Sequence, residues 1–165
     1  MDKIPDNCNY WLFKSEPTEY SFDDLLREPV QRTPWEGVRN YRARNLLRDE
    51  IKKGDGVFFY HSNAKPLAIV GIAEVASEAY PDPTAFDPSS KYYDPKSDPQ
   101  NPTWYLVDIK AVVKLVKPIG RDILLLEKRL KKMMLLQRGS RLSVQPVSKQ
   151  EWSTVLELVW IWTEH

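Results

Sequence analysis

The sequence is poor in the residues that form disulfides and metal centres. Its 165 residues include one cysteine, Cys8, and two histidines, His61 and His165. A single cysteine cannot form an internal disulfide, which is typical of a protein from a reducing compartment. A zinc site of the usual Cys/His type needs more such ligands than the chain supplies. We therefore expect no metal site and no cofactor.

Long hydrophobic runs are also lacking. The longest, such as Ile123–Leu126 and Leu158–Trp162, fall far short of the ~20 apolar residues that cross a bilayer. The segment MDKIPDNCNYW at the N-terminus has no apolar stretch of the signal-peptide kind. We expect no membrane partner and a cytoplasmic location, or a nuclear one if the source is eukaryotic.

There is little excess of charge of either sign, because the formal net charge is +1. A protein that coats nucleic acid non-specifically usually carries a large basic excess. The charge is nevertheless uneven: residues 114–141 hold nine Lys/Arg against two acidic residues, and residues 39–53 hold six against two. This distribution predicts a positive side of the molecule, although solvated helix faces are an alternative explanation.

The common enzyme motifs are missing. The chain contains no Walker loop, no GxGxxG and no GxSxG elbow. His61 and Ser62 are adjacent, and neighbours on an extended chain point in opposite directions, so they are poorly placed to act as base and nucleophile. We expect no catalytic activity; the alternative is an enzyme that acts on nucleic acid or a small molecule through His61 and a carboxylate such as Glu16, Glu36 or Asp55.

Aromatic residues are plentiful, with six Trp and eight Tyr. Such side chains usually form the core, but an excess of Trp and Tyr also suits a surface that stacks on flat ligands. With 42% hydrophobic residues, the chain is long enough for one domain with its own core.

The hydrophobic pattern predicts strands and helices in alternation. We expect helices to begin at Ser21 and at Ser148, each with an acidic residue three positions later, and a further helix over Tyr41–Lys53. Apolar alternation and aromatic runs predict strands at Asn9–Lys14, Gly56–Tyr60, Leu67–Ala76, Trp104–Val116 and Leu142–Val147. This order favours an α+β domain around a strongly bent sheet or small barrel.

Two of these segments carry more detailed predictions. In the strand over Trp104–Val116, Val107, Ile109, Ala111, Val113 and Leu115 are predicted to share one face. The segment Tyr80–Pro102 holds six of the thirteen prolines, so no regular element can run through it. A loop of this length in a compact domain is usually functional or mobile.

Four segments place polar groups beside an aromatic residue at strand ends, where a sheet displays binding groups. They are Lys14–Pro17, Trp35–Tyr41, Tyr60–Asn63 and Arg138–Val147. Structural roles remain open for all of them, including a loop anchor for Trp35, helix capping or loop contacts for the arginines and Asn40, and strand termination for Lys14–Pro17.

Seven blocks of the sequence form a recognisable series. They are YWLFKSEP (10–17), WEGVRNYRARN (35–45), GDGVFFYHSN (54–63), IVGIAEV (69–75), AYPDPTAFDP (79–88), YYDPKS (92–97) and RGSRLSVQPV (138–147). Together they resemble the EVE domain, a member of the PUA-like superfamily, in the order found in that family. One block would be weakly specific, whereas seven in order are highly specific.

The resemblance implies a PUA-like α+β fold, with a bent mixed sheet or pseudo-barrel of five or six strands and short helices around it. It divides the chain into an N-terminal tail at 1–9, a single domain at 10–158 and a C-terminal extension at 159–165. It further implies a non-catalytic module that recognises a modified base, of the 5-methylcytosine or 5-hydroxymethylcytosine type in DNA or a methylated base in RNA.

In such a pocket, the aromatic residues near the polar segments would stack on the base. Trp35 and Tyr60 are the first candidates, with Trp104 or Trp11 in reserve, and stacking contributes ~1–3 kcal/mol per base. Short polar side chains would bind the base edge, and the candidates are Ser15, Asn40, His61, Ser62, Asn63 and Ser143. One buried methyl adds only about 0.8 kcal/mol, so we expect modest discrimination from the methyl alone.

Basic residues beside the same segments would hold the nucleic-acid backbone or contact the base edge. The candidates are Lys14, Arg39, Arg42, Arg138 and Arg141. The expected partner is nucleic acid, DNA or RNA, and the expected state is a monomer or weak homodimer. A protein-interaction module, built on the loop Tyr80–Pro102 and on Trp160 and Trp162, is the remaining alternative.

Overall fold

The computed structural model describes residues 8–163, and their side chains as far as Val159. Most of the predicted N-terminal tail, and the side chains of Trp160 and Trp162, therefore lie outside the described part. No helix among residues 8–163 has both the length and the apolar character that a bilayer crossing requires.

Eight strands are present within residues 8–163, and six of them form one curled sheet. In chain order they are β1 (Tyr10–Ser15), β2 (Arg32–Pro34), β3 (Gly56–His61), β4 (Ala68–Val75), β5 (Tyr80–Pro81), β6 (Tyr105–Leu106), β7 (Asp108–Gly120) and β8 (Val144–Val147). The large sheet has the order β2-β7-β4-β3-β1-β8, and β5 pairs with β6 separately. β1 and β3 are parallel, and the other pairs are antiparallel. The predicted α+β fold, with a bent mixed sheet or pseudo-barrel of five or six strands, is confirmed.

In the described part of the chain, four helices surround the sheet: α1 (Phe22–Arg27), α2 (Tyr41–Asn45), α3 (Arg121–Leu126) and α4 (Lys149–Thr163). Ser21 and Asp24 form the predicted capping box of α1, which satisfies two of the amides left free at a helix start. Ser148 and Glu151 do the same before α4, with hydrogen bonds of 2.9 and 3.0 Å. α2 continues as one π-helical turn over Leu46–Glu50, within the predicted range.

The two faces of the sheet cover two apolar clusters. Alternate residues of β1 illustrate the division: Trp11 and Phe13 join the first core with α1 and α2, whereas Tyr10 and Leu12 join the second core with α3 and α4. Since side chains alternate along a strand, each strand that is buried on both faces reads as a continuous hydrophobic run.

The sequence predicts that alternate residues from Val107 to Leu115 share one face of the strand, and this prediction is wrong beyond Ala111. Ala73 pairs with Ala111, but Ile72 pairs with Val113, so one extra residue is inserted into β7 at this point. The bulge reverses the alternation. Ala111 consequently belongs to the first core, while Leu115 belongs to the second core and Val113 is partly exposed.

The loop between β5 and β6 contains one 3-10 turn, Pro83–Phe86, and no longer regular element. This agrees with the proline pattern. The loop is nevertheless tied to the domain, because the amide of Asp82 donates to the carbonyl of Trp104 and that of Asp94 to the carbonyl of Ala85.

Candidate functional site

A cleft of about 420 Å³ opens where β1 ends and β2 leads into the segment 35–39. The loop 91–92 and Ser143 complete its wall. Pockets that hold small molecules usually measure ~300–1,000 Å³, so the cleft is of suitable size for a flat ligand. It brings together five of the predicted site residues: Lys14, Ser15, Trp35, Arg39 and Ser143.

Trp35 is the half-buried aromatic residue of this cleft, and three rings hold it from the side of the first core. Its ring centroid lies 5.4 Å from Phe13, 5.5 Å from Phe59 and 6.3 Å from Tyr20, the last two edge to face. Its backbone amide donates to the carbonyl of Val107 at 2.9 Å. The indole is therefore fixed in orientation before any ligand arrives, which lowers the entropic cost of stacking.

One wall of the cleft comes from the end of β1 and from the segment before β8. The amide of Lys14 donates to the carbonyl of Ser143 at 2.8 Å, which places the two residues side by side. Lys14 Nζ donates to the carbonyl of Ser140 at 3.2 Å, and burial, assisted by the charge of Arg121, lowers the pKa of Lys14. Ser15 Oγ donates to the carbonyl of Tyr20 at 2.5 Å.

Arg39 holds the opposite wall together. All five of its N–H donors are engaged, with the carbonyls of Val38 and Tyr92, the hydroxyl of Thr84 and the carboxylate of Asp82. Its guanidinium also lies 5.3 Å from the ring of Trp104. The structure therefore gives Arg39 a loop-positioning role and leaves it no free donor for a phosphate.

Asp82 is the buried carboxylate at the centre of this wall, with a fully inaccessible side chain. Burial alone would raise the pKa of Asp82, but hydrogen bonds from the Gly37 amide, from Thr84 and from Arg39 outweigh it and lower the pKa. Asp82 is ionised at neutral pH and ties the segment 35–39 to the long loop.

Tyr92 and Gly37 form the upper part of the same wall. Gly37 has φ +86°, and a Cβ atom there would come within 2.5 Å of the Tyr92 ring. The ring thus needs glycine at this position, both for the backbone conformation and for the space. Lys91 lies beside Tyr92 and forms an ion pair of 2.6 Å with Glu19 across the cleft.

Tyr60 does not reach the cleft. It is buried in the second core, whereas its neighbour Phe59 lies in the first core and supports Trp35. Adjacent strand residues face opposite sides of the sheet, so Tyr60 and Trp35 are separated by the sheet itself. The two reserve candidates are also outside the cleft lining, because Trp11 donates to Asp55 in the core and Trp104 stacks on Tyr41.

His61 and Asn40 cap helices. Nε2 of His61 accepts a hydrogen bond from the Phe22 amide at 3.2 Å, and Asn40 Oδ1 accepts one from the Ala43 amide at 3.0 Å. Burial lowers the pKa of His61, with Lys114 acting in the same direction and Asp23 opposing it. Neither residue lines the cleft.

Ser62 and Asn63 also lie outside the cleft. The amide of Ser62 donates to the carbonyl of Ser15, and Asn63 lines a shallower depression that includes Arg121. The remaining basic candidates, Arg42, Arg138 and Arg141, are exposed and have no ion-pair partner among the described side chains.

Several cleft residues were missed by sequence reasoning. They are Glu16, Glu19, Tyr20, Thr33, Pro34, Glu36, Gly37, Val38, Lys91 and Tyr92. Of these, Glu16 and Glu36 were named from the sequence only as carboxylates for the enzymatic alternative. Glu16, and those between Trp35 and Tyr41, lie within the polar segments that the sequence pattern indicates, whereas Tyr92 comes from the long loop. Burial raises the pKa of Tyr20 to about 12, so its hydroxyl stays protonated and donates to Glu28.

Among residues 8–163, no group of three or more His, Cys, Asp or Glu side chains is placed to hold a metal ion. The cleft offers instead an aromatic surface, serine hydroxyls, carboxylates and amines around one opening. Such a set of groups can hold a flat polar ligand by stacking and hydrogen bonds.

The curled six-stranded sheet with its short helices defines an α+β domain of the PUA-like class. The chain belongs to the EVE domain family, whose model matches residues 9–158.

Three comparisons place the chain among known proteins. Thymocyte nuclear protein 1 of Rattus norvegicus is 42% identical over 167 residues, which cover 91% of this chain and 73% of that protein. The human THYN1 protein, in a crystal structure with DNA that contains 5-methylcytosine, is 40% identical with a TM-score of 0.85, and the match covers 92% of this chain and 97% of that one. The YTH domain of Zygosaccharomyces rouxii MRB1 shares the fold at 14% identity, with a TM-score of 0.56 and 96% and 91% coverage.

Proposed function

We propose that this protein binds DNA through a 5-methylated cytosine held in the cleft beside Trp35, without catalysing a reaction. The observation that carries the proposal is the human relative's complex with 5-methylcytosine-containing DNA, since that relative matches nearly the whole chain. The geometry of the cleft supports it, because an oriented indole and several edge-binding groups surround one opening.

A base inside a duplex is stacked and paired, so a reader of this size must extrude it or meet it single-stranded. Extrusion costs a few kcal/mol. Stacking on Trp35 returns about 1–3 kcal/mol. Ser15 Oγ, whose proton is donated to Tyr20, can accept a hydrogen bond from the base edge, and together with the hydroxyl of Ser143 it contributes the remainder. A methyl group in contact with the cleft adds about 0.8 kcal/mol, or roughly fourfold in affinity.

The nucleic-acid backbone is proposed to run over the exposed arginines near the cleft. Arg138 and Arg141 belong to the loop whose Ser140 carbonyl accepts from Lys14 and whose Ser143 lines the cleft. Arg42 follows the segment 35–39 at the start of α2. Because all three are free of ion pairs within the described side chains, they can approach phosphates without breaking a contact.

Binding is favoured over the enzymatic alternative by the position of His61. Its Nε2 is occupied by the Phe22 amide, and the side chain is not part of the cleft lining. The location also remains a proposal: the rat relative is named a nuclear protein, and we expect the same compartment for this chain if its source is eukaryotic.

The test is a fluorescence titration at one moderate salt concentration. Short single strands of DNA and RNA would carry cytosine, 5-methylcytosine, 5-hydroxymethylcytosine, adenine or N6-methyladenine at one position. We expect the 5-methylcytosine DNA strand to bind about fourfold more tightly than the cytosine strand. Equal binding of all strands would contradict the proposal, and tightest binding of the N6-methyladenine RNA strand would assign the cleft to RNA.

Two variants of Trp35 locate the site in the same experiment. Trp35→Leu removes the aromatic face while keeping apolar bulk against Phe13 and Phe59, and it should weaken binding by roughly tenfold. Trp35→Phe retains a ring and should lose much less. Circular dichroism checks that both variants fold. Unchanged affinity of Trp35→Leu would place the base elsewhere.

A further inference from the structure

Glu36 differs from the other carboxylates that line the cleft. Glu19 is paired with Lys91 at 2.6 Å, and Glu16 Oε1 accepts from Asn63 Nδ2 at 3.4 Å. For Glu36, neither an ion pair nor a side-chain hydrogen bond is found within the described part of the chain. Its acceptor atoms are therefore available to a ligand.

The backbone on both sides of Glu36 is fixed. The amide of Trp35 donates to the carbonyl of Val107, and the amide of Gly37 donates to Asp82 Oδ2, each at 2.9 Å. Glu36 is exposed and lines the same cleft as the indole on which the base is proposed to stack. Burial raises the pKa of Glu36, the charge of Asp82 acts in the same direction, and Arg39 opposes both. A carboxylate that has no partner within the protein can accept a hydrogen bond from a ligand without breaking an existing one.

The edges of the bases differ in what they offer such a carboxylate. Cytosine and adenine carry an exocyclic amino group, which donates, whereas thymine and uracil carry a carbonyl at the corresponding position of the pyrimidine ring, which accepts. An ionised carboxylate can only accept. If thymine occupied the cleft, its O4 atom and the carboxylate of Glu36 would therefore face each other as two acceptors without a proton between them.

We propose that Glu36 accepts a hydrogen bond from the exocyclic amino group of the bound base and so selects amino-bearing bases against thymine and uracil. This inference rests on the proposed function, because it assumes that a base occupies the cleft. It assigns to Glu36 the specificity that a methyl group alone cannot provide, since an unpaired acceptor disfavours the wrong base more strongly than one missing methyl.

The discriminating probe is a pair of DNA strands that differ only at one base, 5-methylcytosine or thymine. Both bases carry a methyl group at C5, so the comparison leaves methyl burial unchanged. The two bases differ at C4, where 5-methylcytosine has an amino group and thymine has a carbonyl oxygen, and thymine also carries a proton on N3. We expect the wild-type protein to bind the 5-methylcytosine strand at least roughly tenfold more tightly.

The variants separate Glu36 from the rest of the cleft. In Glu36→Gln the amide can turn either its oxygen or its NH₂ group to the base, so the preference should fall to about twofold or less. Glu50→Gln is the matched control, because it makes the same change in an exposed glutamate outside the cleft lining, and it should keep the preference. Thermal unfolding checks that both variants are folded.

The outcomes distinguish this inference from the proposed function. Equal affinity of the wild-type protein for the two strands, or an undiminished preference in Glu36→Gln, overturns the role of Glu36 while the cleft remains a base-binding site. Failure to bind either strand overturns the proposed function and this inference with it. A preference lost in Glu36→Gln and kept in Glu50→Gln supports the assignment.

Discussion

Asp82 accepts a hydrogen bond from Arg39 Nη1 at 3.0 Å, although the two residues are 43 positions apart in the sequence. The contact joins the segment that follows β2 to the loop between β5 and β6, and Tyr92 is placed beside Gly37 as a result. One wall of the cleft thus depends on a buried charged pair, while the opposite wall depends on the backbone pairing of Lys14 with Ser143.

The first prediction concerns this pair. Asp82→Ala leaves the largely buried Arg39 guanidinium without its counter-charge, and we expect the free energy of unfolding to fall by about 3 kcal/mol. Urea unfolding followed by tryptophan fluorescence measures the change. Asp49→Ala, which removes a solvent-exposed ion pair with Arg48, should leave the unfolding curve unchanged. Equal effects of the two substitutions would contradict the role given to Asp82.

The second prediction tests the packing of Tyr92 on Gly37. Gly37→Ala strains a residue with positive φ and drives a methyl group into the ring, so it should lower both stability and base affinity. Gly54 provides a matched control, because its φ is +96° and a Cβ atom added there would have no atom within 4 Å beyond its own residue and its chain neighbours. We expect Gly37→Ala to cost about 1–3 kcal/mol more than Gly54→Ala in thermal or urea unfolding.

Much of the fold follows from local patterns in the sequence. Ser21 with Asp24 and Ser148 with Glu151 start helices where the capping signature predicts them, since that signature involves only neighbouring residues. The bulge in β7 was not predicted, because an inserted residue leaves the hydrophobic composition of the strand unchanged.

The candidate site was less predictable, because it depends on which side of the sheet each strand residue faces and on contacts between residues far apart in the sequence. His61 lies on the same side of β3 as Phe59, but its Nε2 atom accepts a hydrogen bond from the amide of Phe22 at the start of α1. Tyr60 faces the opposite side of the sheet. Strand alternation could have excluded either Tyr60 or His61 from a shared pocket. Tyr92 reaches the wall of the cleft because Arg39 binds both its carbonyl and Asp82. No local sequence pattern indicates these contacts.

The third prediction is a pH dependence that arises from His61. Its pKa is lowered in the folded state, so between that value and the ordinary pKa of ~6.5 the unfolded chain binds more protons than the native one. The stabilising contribution is complete above about pH 6.5 and is lost as the pH falls through the folded pKa. Urea unfolding between pH 5 and 8 should show a smaller pH dependence in His61→Gln.

The same variant tests whether His61 touches the base. The structure separates His61 from the cleft, so His61→Gln should bind a 5-methylcytosine strand at pH 7.5 with the affinity of the wild-type protein. A loss of binding in a folded His61→Gln protein would show that His61 contacts the base, as the sequence predicts.

The fourth prediction addresses the backbone contacts. Arg138→Gln and Arg141→Gln should each weaken binding of cytosine and 5-methylcytosine strands by the same factor, because phosphates carry no base identity. Each should also reduce the slope of log affinity against log salt by about 0.7, the value for one phosphate of a single strand. Arg129→Gln, whose side chain contacts Glu127 and Glu157, should leave the slope unchanged.

The most direct test of the account is a map of the bound base on the protein. A ¹H–¹⁵N correlation spectrum would be recorded while a short single strand with one 5-methylcytosine is added. We predict that the largest shifts fall on the Trp35 indole and on the amides of Ser15, Gly37 and Ser143, and that a cytosine strand moves the same signals at higher concentration. Shifts centred on the depression around Asn63 and Arg121, with the Trp35 indole unmoved, would contradict the placement of the base in the cleft.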